Sequence, residues 1–129
     1  MPELSVIIVA ADNEQRAVLQ VLVDGTSVAR AVYTHASFPV AANDSLIRRI
    51  QTTKADVVLV DIHADNAILA LRAIELLHQE LPGTALFAIG SISQPQVIVG
   101  AMRAGAREFL HRRSLRLRTL SAARPRVEY

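Results

Sequence analysis

Apolar side chains run almost unbroken, rather than alternating with polar ones, in three short stretches: Leu4 to Ala10, Val57 to Val60 ahead of Asp61 and Ile62, and Ala85 to Ile89. A strand-length run that does not alternate predicts a strand buried on both faces, as in a parallel sheet covered by helices. Val28–Tyr33 and Arg107–Leu110 predict two shorter strands. Between these stretches the period lengthens to three or four. Ala17, Val18, Val21 and Leu22 follow the capping residues Asp12 and Asn13 and stop at Asp24-Gly25, which predicts a first helix. Asn43-Asp44-Ser45 caps a second, with Leu46, Ile47 and Ile50 on its apolar face. Ile68, Leu71, Ile74, Leu77 and Leu81 predict a third, ended by Pro82-Gly83. Val97, Ile98, Ala101 and Met102 predict the buried side of a fourth, with Pro95 in its first turn and Gly105 as its stop. A last helix is expected from Ser114.

Strands and helices alternating five times predict an α/β fold of three layers, a five-stranded parallel sheet with helices on both faces. Flavodoxin-like winding, strand order 2-1-3-4-5, sets the first and third strands side by side. The loop after Ala10 and the strand end at Asp61 then share one crevice at the carboxyl ends of the strands, where ligands gather in such sheets.

Composition narrows the classes of function. The chain has 129 residues, enough for one domain, and no apolar run approaches the roughly 18 residues that span a bilayer, so no membrane insertion is expected. Met1-Pro2-Glu3 leads straight into the first strand without a leader-like segment, and a cytoplasmic protein is expected. The absence of cysteine removes disulfides, thiolate metal sites and thiol nucleophiles. His35, His63, His78 and His111 lack metal-ligand spacing, and His63 is expected to be a solvated loop residue at the crevice rim. No nucleophile elbow, paired catalytic acids or Gly-x-x-x-x-Gly-Lys loop occurs, so no enzyme activity is expected. Charge is lopsided: residues 1–102 carry six Lys/Arg and ten Asp/Glu, residues 103–129 eight Arg and two Glu. A basic end attracts phosphate, acidic protein or anionic lipid alike. Arg112, Arg113, Arg116 and Arg118 could therefore serve a nucleic-acid-binding module, although no reading motif accompanies them.

The run Val57-Val58-Leu59-Val60-Asp61-Ile62, with Arg103-Ala104-Gly105-Ala106-Arg107-Glu108-Phe109-Leu110 downstream, resembles the CheY-like receiver domain of two-component response regulators. The resemblance covers nearly the whole chain, with residues 1–113 as the domain and 114–129 as its last helix and a basic tail. It implies that Asp61 stands at the phosphoacceptor position. It also implies departures. The acid pair that would hold Mg²⁺ falls on Ala10 and Ala11, leaving Asp12 one residue beyond, and a methyl group cannot ligate a metal. The hydroxyl residue ending the fourth strand falls on Gly90, with Ser91 next in line. The lysine falls on Arg112, which keeps the charge but has a planar fork of donors, and the switching aromatic matches Phe109, expected as packing.

These substitutions imply a degenerate receiver, without a resident cofactor or metal, that acts by protein contact or as a homodimer. By resemblance the contact face is the fourth helix, fifth strand and fifth helix, Gln94 to Arg118. Among families with such receivers the chain looks most like the N-terminal domain of CpaE/TadZ-type pilus assembly proteins. The alternative is a working receiver phosphorylated on Asp61, with Mg²⁺ held by Asp12 and Ser91 supplying the hydroxyl.

Overall fold

In the computed structural model, which describes residues 3–91 and 93–112, five parallel strands pair in the order β2-β1-β3-β4-β5. They are β1 (Leu4–Val9), β2 (Ala29–His35), β3 (Val57–Asp61), β4 (Ala85–Gly90) and β5 (Glu108–His111), alternating with α1 (Asn13–Asp24), α2 (Ser45–Thr53), α3 (Ala67–Glu80) and α4 (Pro95–Ala104). The predicted winding is observed, and the chain has the flavodoxin-like receiver fold. The helix expected from Ser114, the basic tail and the boundary at 113 lie outside the described residues. No helix among the described residues is long and apolar enough to cross a membrane.

The unbroken apolar runs serve two cores at once. Ile7, Val9, Val58, Val60 and Ala88 face α2, α3 and α4, where Leu46, Ile47, Ile50, Ile74, Leu77, Val97 and Ala101 meet them. Val6, Ile8, Val57, Leu59, Phe87 and Ile89 face the other way, onto Leu19 and Val23 of α1. Successive side chains of a strand point to opposite faces, so a strand covered on both sides needs an apolar residue at every position.

Helix faces departed from expectation in an instructive way. In α1 the buried residues are Leu19 and Val23, whereas Val18 and Val21 are 50% and 71% exposed. Val18-Leu19-Gln20-Val21-Leu22-Val23 is apolar nearly all round, so periodicity alone leaves its rotation open. Two anchors set it: Asp12 Oδ2 accepts from Gln15 N at 2.8 Å, and Arg16 Nη1 donates to Ala10 O at 2.7 Å. In α3, Ile68 is exposed and Ala70 and Ala73 are buried, because small residues let the helix approach the sheet closely. Met102, expected inside, lies on the open side of α4. Strand β2 runs from Ala29 to His35 rather than Val28 to Tyr33, since a bulge opposite Val6/Ile7 inserts Val32 and lets pairing continue. Gly105 ends α4 at φ 124°, in the region that favours glycine, and a Cβ there would lie on the ring of His78.

Candidate functional site

Register brings the site together. Val9 pairs with Val60, so the next residues, Ala10 and Asp61, leave the sheet side by side at its carboxyl end. Asp61 also pairs with Ile89, and Gly90 pairs with His111, which sets the end of β5 one strand further out. The crevice contains Ala10, Asp61, Gly90 and Arg112, drawn from four strand ends.

Asp61 is completely buried, an expensive position for a carboxylate without partners. It has two. Arg112 Nη2 donates to Oδ1 at 2.8 Å, and His63 Nε2 lies 2.7 Å from Oδ2. Both carboxylate oxygens are therefore committed. Arg112 does not grip the carboxylate with two nitrogens, as a planar fork can. Its Nη2 is shared between Asp61 and the carbonyl oxygen of Ile62, also at 2.8 Å, while Nε is buried without a hydrogen-bond partner among the described residues. The one guanidinium thus fixes both the side chain of Asp61 and the backbone just after it.

His63 lies at the rim as expected, but it is not a free loop residue. Its ring closes over Asp61, and its backbone N–H donates to Asn66 Oδ1 at 2.9 Å, which sets the start of the short 3-10 turn Ala64–Asn66. The sequence signal was available in the spacing. Two residues past a buried carboxylate, where the strand turns, is where a donor can fold back.

The β1 side is built differently. Ala10 is buried, Ala11 is exposed, and Asp12 is the N-cap of α1, its carboxylate turned to Gln15 N. Arg16, which the sequence reading passed over, covers the end of β1 through Ala10 O and also donates to Asn13 Oδ1. A hard divalent cation needs several oxygen donors, mostly carboxylates and water. Two methyl groups, a capping aspartate and a carboxylate already paired twice do not fit Mg²⁺. Among the described residues no three His, Asp or Glu side chains converge.

Gly90 and Ser91 complete the picture. Ser91 Oγ pairs with Ser93 Oγ at 2.8 Å and accepts from Ser93 N, so its hydroxyl serves the turn into α4. Phe109, half-buried, packs over Gly90. Of the arginines considered for nucleic acid, Arg112 is spent on Asp61; Arg113, Arg116 and Arg118 lie outside the described residues.

No protein-family model matches the chain, and no curated protein matches it. Solved structures do. A protein assigned to pilus assembly, CpaE, from Burkholderia thailandensis is 25% identical with a TM-score of 0.72, over 93% of this chain and 97% of that one. A CheY-like protein, TadZ, from Pseudomonas aeruginosa is 21% identical with a TM-score of 0.71, over 93% and 95%. The response regulator domain of Thermotoga maritima CheB is 22% identical with a TM-score of 0.68, over 95% and 89%. The structural neighbours are thus CheY-like response-regulator receiver domains, CpaE/TadZ pilus assembly proteins among them.

Proposed function

We propose that this chain is a receiver-like signalling module that works by protein–protein contact and does not run a Mg²⁺-dependent phosphorelay. Receiver domains are generally signalling modules rather than enzymes. Likeness to CpaE, a protein assigned to pilus assembly, supports a place in pilus assembly, and a cytoplasmic location is proposed with it. The observation that carries the proposal is the state of Asp61: fully buried, with one oxygen held by Arg112 and the other by His63. To accept a phosphoryl group, a carboxylate oxygen must present a free lone pair to phosphorus while a cation neutralises the phosphoryl oxygens. Here each oxygen already accepts one bond, from Arg112 or His63, in a fully buried position, and the residues at the cation's place are Ala10 and Ala11.

Contact is assigned to the α4–β5 face. Val99 and Met102 of α4 are 48% and 45% exposed, an apolar centre of the kind that protein interfaces favour. A second copy is the proposed occupant, and a strictly monomeric light-scattering mass at high micromolar concentration would remove it.

The deciding experiment for the phosphorelay is beryllofluoride with Mg²⁺, followed by fluorine NMR. No bound signal is expected at millimolar Mg²⁺. A saturable signal that Asp61→Asn abolishes would establish the working receiver instead.

A further inference from the structure

Glycine at the end of a buried strand carries an entropic cost and no packing, so Gly90 needs a reason. Its surroundings supply one. A Cβ built on Gly90 would lie 2.8 Å from Phe109 Cζ and 3.5 Å from Phe109 Cε2. It would also lie 3.5 Å from Ile62 O, the carbonyl that Arg112 Nη2 holds. Phe109 pairs with Ala88 across the β4–β5 ladder and shares its face of the sheet. Its ring therefore leans along β4 toward the crevice, over two small residues, Ala88 and Gly90. A Cβ at 90 would displace the ring while meeting the carbonyl in ordinary contact.

We propose that β5 clasps the ends of its neighbours with two prongs, the ring of Phe109 in the notch left by Gly90 and the guanidinium of Arg112 on Asp61 and Ile62. The two prongs are linked through the Ile62 carbonyl, which Arg112 holds and which borders the notch that Phe109 fills. Clasped in this way, β5 and α4 behind it are held in a single arrangement, set by packing and not by modification of Asp61. The contact face then stands permanently presented. This deepens the reading given above and rests on it, because a phosphoryl group on Asp61 would remove one prong.

The test is a double-mutant cycle on the full chain. Gly90→Ala is made with Phe109 present and in a Phe109→Ala background, and urea midpoints are compared, with Gly83→Ala, which has nothing within 4 Å, as the control for helix-free glycine loss. Gly90→Ala should lower the midpoint with the ring present, and at least roughly half of that shift should vanish without it. An equal shift in both backgrounds overturns the clasp. Should Gly90→Ala fail to fold, the unmodified protein still decides. The chain has three phenylalanines, so the Phe109 ring protons can be assigned, and a nuclear Overhauser contact to Gly90 Hα is expected. Its absence overturns the proposal. Beryllofluoride binding to the same protein would sink the inactive-receiver reading while leaving the Gly90–Phe109 contact to stand or fall by itself.

Discussion

The two halves of the crevice solve the same problem by opposite means. On the β1 side the strand end carries no charge, and the polar groups near it are closed locally. Asp12 caps its own helix and Arg16 reaches back six residues to Ala10 O. On the β3–β5 side a buried charge is kept, and its partner comes from 51 residues away. A local cap stabilises one helix end. A buried carboxylate paired across the sheet ties the last strand to the centre, because neither charge can be left alone in a dry interior. The difference teaches that a strand end without acids need not loosen the fold, whereas an Asp61 without its countercharge must.

The largest effect should come from removing that countercharge. Arg112→Met keeps most of the side chain's length but leaves Asp61 buried with only His63. Breaking one member of a buried pair costs about 3 to 5 kcal/mol, and with Arg112 26% exposed the lower end, about 3 kcal/mol, is expected in urea unfolding. Adding Asp61→Leu should recover most of the loss, since a pair replaced by apolar residues leaves no orphaned charge. A single variant that loses less than about 1 kcal/mol would mean that the two halves differ in appearance only.

The same contrast explains what could be read from the chain alone. The sheet was legible because Val57–Val60 and Ala85–Ile89 are buried on both faces, and no other environment asks for unbroken β-branched and apolar runs. Asp61 was legible because its strand has to end somewhere and a carboxylate marks the end. Arg112 was placed at the family's lysine position by resemblance, which carried a positive charge to the crevice, while the bond it makes to Asp61 came from the structure. The partner at His63 was not legible, because a ring two residues along a turn can face either way and only the Asn66 bond at its backbone fixes it. The rotation of α1 was not, because a helix apolar on most sides has no preferred face until Asp12 and Arg16 pin it. Gly90 was seen as a lost hydroxyl, while its role as room for Phe109 depends on a ring direction that sequence spacing does not carry.

A pair of substitutions on the β1 side sharpens the comparison at a lower cost. Ala10→Asp and Ala11→Asp each introduce an acid, but Ala10 is buried in the core cluster that faces α1 and Ala11 faces solvent. A carboxylate at 10 enters that core beside a carbonyl already bonded to Arg16. It should destabilise by about 2 kcal/mol. A carboxylate at 11 should lie within about 0.5 kcal/mol of the unmodified chain. Chemical denaturation of both, at equal ionic strength, reads the difference directly. Equal costs would show that the strand end is open enough to carry acids, and that their absence has no structural reason.

A small effect on stability also belongs to His63, and it separates its role from that of Arg112. His63 is bonded to the same carboxylate at a similar distance, so geometry alone would rank the two alike. Exposure ranks them differently. The His63 side chain is 36% exposed, so water can replace much of what the ring supplies to Oδ2, while Arg112 also holds the Ile62 carbonyl beneath it. A hydrogen bond to a charged group contributes about 1.5 to 3 kcal/mol when dry, and screening at an open rim reduces it to about 1 kcal/mol or less. His63→Ala is therefore expected to leave the fold nearly intact while opening one oxygen of Asp61 to solvent. The variant is then the sensitive background in which to repeat the beryllofluoride titration. If binding stays absent there, the obstacle lies elsewhere in the crevice, with the methyl groups of Ala10 and Ala11 the first candidates; if it appears, the ring of His63 alone was keeping the carboxylate closed.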